Sequence, residues 1–117
     1  MQYDPNSPIW LQVMTALKTD IVSGRRLPGE KLPGGRELAL QFTINPNTAA
    51  RVYQELEREG LCETRRGLGT FVTEDAARIS GLRTEMARAT AEQFVRHMEN
   101  LGISPQEAAR MILKEDA

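Results

Sequence analysis

Apolar side chains recur at helical spacing three times in the first half of the chain. Ile9, Trp10, Val13, Met14, Leu17 and Ile21 share one face, with Lys18, Thr19 and Asp20 off it. Ser7 reads as an N-cap with Pro8 at the first helical position, and Gly24 as the stop. Residues 25–33 hold two prolines and a Pro28-Gly29 turn, which leave a loop rather than a helix. Gly34 or Gly35 opens a second, short helix with Leu38, Ala39 and Phe42 inward, and Thr43-Ile44 make a turn. Asn45 is a strong N-cap and Pro46 a good first residue for a third helix. That helix buries Ala49, Val52, Tyr53 and Leu56 and ends near Glu59-Gly60. Asn47, Thr48 and Arg51 fall outside its stripe and point outward at its N-terminal end.

The period then changes. Leu61–Arg65 is strand-like, Arg66-Gly67-Leu68-Gly69 is a glycine-bearing turn, and Thr70–Thr73 is a β-branched and aromatic return strand. A two-strand ribbon alone is marginal, so it must pack on the helices. From Glu74 to about Leu101 one long helix carries Ile79, Leu82, Met86, Phe94, Val95, Met98 and Leu101 in a stripe, with Gly81 a candidate bend. Gly102 is the expected C-cap. Ser104-Pro105-Gln106-Glu107 is a capping box that opens a last helix with Ala108, Ala109, Met111 and Ile112. The predicted fold is mostly α: an α+β winged helix-turn-helix over residues 1–73, then a two-helix dimerisation tail over 74–117.

Composition adds limits. A length of 117 residues suits one domain with a small appendage, and 40% hydrophobic with 26% charged residues is ordinary for a globular protein. The single cysteine, Cys62, excludes an intramolecular disulfide framework. With no basic-then-apolar leader in MQYDPNSPIW, the expectation is a cytoplasmic, bacterial protein, nucleoid-associated when bound to DNA. No apolar run approaches the roughly 20 residues that span a bilayer, so no membrane partner is expected. Net charge is -1. Residues 1–73 carry 9 Lys+Arg against 8 Asp+Glu, and residues 74–117 carry 6 against 8. Nucleic-acid binding therefore requires cations clustered on one surface, because the local field matters more than the sum.

Catalysis has little to stand on. His97 is the only histidine and reads as a surface or interface residue. No phosphate loop of the GxxxxGK[ST] type occurs. Glu55, Glu57 and Glu59 read as a solvated helix face. Cys62 reads as a small, half-buried core residue rather than a redox sensor. Neither an enzyme nor a cofactor or metal is expected. A helix-turn-helix, in contrast, brings the start of its second helix to base edges in the major groove. Asn pairs with adenine, Arg with guanine, and Thr with a thymine methyl or a phosphate. The candidate DNA-contacting residues are Arg36, Asn45, Asn47, Thr48, Arg51, Arg65, Arg66 and Gly67. Asn45 is a cap first and a contact second. Arg51 divides evenly between DNA and an ion pair on the helix surface, and Lys31 is as readily a solvated loop charge. Arg65 and Arg66 sit at the wing, where Gly67 and Gly69 permit a tight turn and close backbone approach.

The ordered residues Pro8-Ile9-Trp10-Leu11-Gln12-Val13, Gly24-x-x-Leu27-Pro28-Gly29-x-x-Leu32-Pro33, Arg36-x-Leu38-Ala39, Asn45-Pro46-Asn47-Thr48, Tyr53-x-x-Leu56-x-x-x-Gly60 and Gly67-x-Gly69-Thr70-Phe71-Val72 resemble the GntR-family winged helix. The match covers about residues 8–73. The Asn-Pro-Asn-Thr start and short tail resemble the YtrA-type subfamily. The resemblance implies a bacterial transcriptional regulator, usually a repressor, that binds an inverted-repeat operator in double-stranded DNA as a homodimer, often for a transporter operon. It assigns DNA contacts to Arg36, to Asn45, Asn47 and Thr48, and to Arg66-Gly67. Two departures stand out. Leu32-Pro33-Gly34 replaces the common Leu-Pro-Ser, and Pro46 and Ala50 stand where many members carry arginines.

Where many members of the family carry a large ligand domain, residues 74–117 hold only two helices. Such a pair buries its stripe best against a copy of itself. Leu82, Met86, Phe94, Val95, Met98 and Ile112 are therefore expected in a dimer core, the other reading being intramolecular packing. A small-molecule effector, unidentified, is an open partner, with Met86 or Phe94 lining a pocket between the tail helices and the wing. The alternative function is a winged-helix protein-interaction module that does not bind DNA.

Overall fold

The computed structural model describes residues 1–115. In chain order the elements are α1 (Ile9–Ser23), α2 (Gly35–Phe42), α3 (Pro46–Arg58), β1 (Cys62–Arg65), β2 (Gly69–Val72), α4 (Ala76–Asn100) and α5 (Pro105–Leu113). The chain divides into two compact units, Met1–Leu82 and Arg83–Ala117. This division falls within α4, past the Thr73 end of the expected DNA-binding region. Asp116 and Ala117, the end of the expected 74–117 tail, lie outside the described residues.

The first unit is a three-helix core with a hairpin. Val13, Met14, Leu17 and Ile21 of α1 meet Leu38 and Ala39 of α2 and Ala49, Val52, Tyr53 and Leu56 of α3 in one buried cluster. Leu32, Leu61, Cys62, Val72 and Leu82 are buried with them. Three side chains depart from the expected α1 and α2 faces: Ile9 is exposed, and Trp10 and Phe42 are half-buried. Ile9 opens the helix one residue later than the sequence suggests. Pro8 is the residue just outside, in extended conformation, and no side chain caps the first turn. Gln12 instead binds the arm to α1, donating to the Asp4 carbonyl at 2.7 Å and the Ser7 carbonyl at 2.9 Å and accepting from the Asp4 N–H at 2.8 Å. Tyr3 extends this arm by donating its hydroxyl to the Phe42 carbonyl at the end of α2.

The hairpin pairs antiparallel, with Cys62 opposite Val72 and Arg65 opposite Gly69. It gains a third edge from the loop before α2. Val72 exchanges backbone bonds with Gly29 and Glu30 at 3.0 and 2.8 Å, and Leu32 donates to Thr70 at 2.8 Å. The Pro-rich stretch is indeed not a helix, but it does not run free: Lys31 forms an isolated antiparallel bridge with Phe71, so β2 is bonded on both sides. This supplies the support that a two-strand ribbon lacks.

Glu59, expected on a solvated face, is a junction. Its carboxylate pairs with Lys18 of α1 at 2.9 Å, and its carbonyl accepts from Arg78 Nε at 2.8 Å. Glu55 pairs with Arg58 at 3.2 Å. Glu59 thus ties the end of α3 to α1 and to the start of α4, whereas Glu55 pairs within α3.

In the second unit, Gly102 adopts φ 79 after α4, and Ser104 caps α5 by accepting from the Glu107 N–H at 3.2 Å. Ala108 is buried, Met86, Val95 and Met98 are half-buried, and Phe94, Leu101, Met111, Ile112 and Leu113 are exposed. Leu82, grouped in the sequence reading with the dimer residues, belongs to the first unit and is 3% exposed there.

Candidate nucleic-acid interface

The start of α3 is set by two local residues. Asn45 takes extended backbone angles, and its side chain Oδ1 accepts from the Asn47 N–H at 2.7 Å. Pro46 follows at the first helical position, where its missing N–H costs nothing. The cap uses only the amide oxygen of Asn45, which leaves its NH2 group without a partner among the described residues. Thr43, in the turn, holds a left-handed φ of 54 and closes α2 through bonds to Ala39 and Leu40. Asn45, Asn47, Ala50, Arg51 and Gln54 are exposed and Thr48 is half-buried.

Arg51 makes no ion pair with a described residue. Its guanidinium lies 4.2 Å from the centre of the Trp10 ring on α1, a cation–π contact. The two readings left open for it, DNA contact or ion pair, both omitted this partner. The other arginine of α3, Arg58, pairs with Glu55 at the far end of the helix. Arg36, the second residue of α2, is exposed and also lies outside every ion pair among the described residues.

At the wing the two arginines differ. Arg65 is held: its guanidinium stacks 4.3 Å from the Phe71 ring and bonds Glu63 at 2.7 Å. Arg66 is exposed and belongs to no ion pair among the described residues. The tip is Arg66-Gly67-Leu68, closed by a bond from the Leu68 N–H to the Arg65 carbonyl at 2.9 Å. Gly67 holds φ 77 at the third position of that turn, as a type II turn demands. Beside the tip, Gly69 has φ 118, and Lys31 lies so close that a Cβ there would meet its Cε at 2.9 Å. Lys31 thus belongs to the wing surface, which its place in a proline-rich loop did not reveal. Gln54, one turn beyond Ala50, is exposed on the same face of α3.

Cys62 is 4% exposed, with its thiol aimed at the Tyr53 carbonyl at 3.8 Å. Burial first, and then the Glu57 carboxylate, push the thiol up to about 12, against the thiolate a redox sensor needs. It is fully rather than half buried. Tyr53 is likewise pushed to about 12, chiefly by burial, and its hydroxyl donates to the Pro33 carbonyl. Among the described residues no cluster of His, Cys, Asp and Glu could hold a metal, and no helix is long and apolar enough to cross a membrane.

Residues 10–72, the helix-turn-helix and wing just described, match the model for "Bacterial regulatory proteins, gntR family". The chain belongs to the gntR family. It is a DNA-binding transcriptional regulator, and this family's known members among its relatives are regulators rather than enzymes. It is 42% identical over 106 residues to the HTH-type transcriptional regulator YhcF of Bacillus subtilis, covering 91% of this chain and 88% of that one. It is 47% identical over 78 residues to the HTH-type transcriptional repressor YtrA of the same organism, covering 65% of this chain and 60% of the relative. A gntR-family regulator from Listeria monocytogenes superposes with a TM-score of 0.87 at 36% identity, over 97% of this chain and 100% of the other. The AraR DNA-binding domain in complex with operator ORX1 superposes with a TM-score of 0.57 at 31% identity, over 62% of this chain and 93% of that domain.

Proposed function

We propose that this gntR-family regulator is a repressor that binds an inverted-repeat operator as a homodimer, a transporter operon being one candidate target. Residues 1–73 read the DNA and residues 74–117 pair the copies. One observation carries the reading: a single unit combines an exposed, uncommitted Arg66 at the wing tip with a capped helix that exposes Asn45 and Asn47 at its start. Arg36 and Arg66 supply uncommitted charge for phosphates or base edges. Asn45, Asn47 and Thr48 supply hydrogen bonds at the helix start, and Gly67 lets the backbone approach closely. Arg51 and Arg65, braced on Trp10 and Phe71, contribute charge from fixed positions rather than as free arms. The similarity to a relative named as a repressor and to a domain in complex with its operator supports this reading. In the tail, the exposed Phe94 and Ile112 and the half-buried Met86, Val95 and Met98 are what a second copy would cover.

The test is a salt titration of binding to the promoter fragment of the chain's own operon. Affinity should fall steeply with salt, and Arg66→Ala should weaken binding and lower the salt slope by about 1. Binding that ignored both salt and Arg66→Ala would leave the protein-interaction module as the better reading.

A further inference from the structure

The outward face of α3 lacks a free arginine. Pro46, Asn47, Ala50 and Gln54 are exposed along it, Arg51 lies over Trp10, and Arg58 pairs with Glu55 at the other end. Paired hydrogen bonds from this helix to guanine, which need an uncommitted guanidinium, are therefore not what its start offers. An apolar surface takes their place. A groove of about 720 Å³ runs between α2 and the start of α3, lined by Arg36, Ala39, Leu40, Thr43, Ile44 and Pro46. Leu40 stands in it 82% exposed, an unusual position for a leucine with no partner of its own. Ala50 follows Pro46 by four residues, so helical geometry puts both on one face.

The groove is continuous with the proposed reading edge through Arg36, which belongs to both, and through Pro46, which lies between Asn45 and Asn47. On the DNA-binding reading, what lies against it is the base edge that α3 approaches. In the major groove only one group on those edges is apolar, the C5-methyl of thymine. We propose that Leu40, Pro46 and Ala50 form a methyl-reading strip, so that each half-site presents A·T pairs to the start of α3. Asn47 complements it, since its amide matches the acceptor and donor of adenine. This specificity rests on the DNA-binding reading above.

The experiment uses the full chain. Duplexes are enriched from a randomised pool, and thymines of the selected site are then replaced singly by deoxyuridine, which deletes the methyl and leaves pairing and phosphates alone. The expected sites carry A·T pairs at the positions under α3. Each contacted methyl should weaken binding about fourfold when removed, the worth of one buried apolar carbon. The salt slope should not move. In Leu40→Gln, a surface change that the fold tolerates, at least one uracil penalty should disappear. Selected sites with G·C at those positions, or uracil substitutions without effect in the wild-type chain, would overturn the methyl-reading strip while leaving DNA binding intact. A pool from which nothing is enriched would sink the DNA-binding reading itself.

Discussion

Cys62 and Tyr53 share one environment, and it gives them a common pH signature. Each is held protonated by burial, with the thiol and the phenol pushed to about 12 from ordinary values of 9.0 and 10.0. The unfolded chain therefore gives up these protons at lower pH than the folded one. Between the two values the native state binds more protons, so stability falls as pH rises. It is fully present below the unfolded values and lost on the way to the folded ones. Urea midpoints should hold to about pH 8 and drop by about pH 11. Cys62→Ala should flatten part of that drop, although it also removes some packing. A thiol-specific reagent should leave the native protein unlabelled and react once urea unfolds it. Rapid labelling in the native state would contradict the burial of Cys62. Arg51 teaches the opposite lesson about what single residues disclose. Its outward position on α3 was legible from periodicity, but its partner, Trp10, comes from another helix far back in the chain. No local pattern encodes that meeting.

Helix starts were the most legible elements, because caps are made by neighbours. Asn45-Pro46 and Ser104-Pro105 each set a helix start where the sequence placed it. The start of α1 came one residue late because its first turn is tied by Gln12 to the arm, a contact eight residues long that the Ser7-Pro8 signal masks. The third edge of the wing was hidden for a similar reason. Pro28, Gly29 and Pro33 read as breakers, yet the backbone bonds at Gly29, Glu30 and Leu32 are made to β2, distant in sequence. The site divides along the same line. The polar start of α3 and the glycine tip were local signals, whereas the bracing of Arg65 on Phe71 and the position of Lys31 against Gly69 depend on strand register and loop path. Asn45 allows its two roles to be separated. Asn45→Ala removes the cap and should cost about 1 kcal/mol of stability, read as a lower melting temperature. Asn45→Asp keeps a side-chain acceptor for the Asn47 N–H and suits the positive end of the helix dipole, so stability should hold. Its negative charge faces the proposed DNA surface, so affinity should fall. If the Asp variant bound operator as well as wild type, Asn45 would be a cap alone.

The proposed pairing rests on the tail. The second unit buries Ala108 but leaves Phe94, Leu101, Met111, Ile112 and Leu113 exposed, more apolar surface than two helices ordinarily leave in water. A self-complementary pairing would cover it and would set the separation of two recognition helices on DNA, about one helical turn for adjacent half-sites. Phe94→Glu and Ile112→Glu each put a charge into that surface without touching the core of the first unit. On the proposed pairing, light scattering should give the mass of two chains for the wild type and of one for each variant. Binding to a paired operator should fall steeply, because two linked contacts are replaced by one. Binding to an isolated half-site should stay as it was, since α3 and the wing are unchanged. A Phe94→Glu, Ile112→Glu double variant that still ran as a dimer would place the pairing surface elsewhere. A monomer that kept full affinity for the paired site would separate dimerisation from DNA recognition altogether.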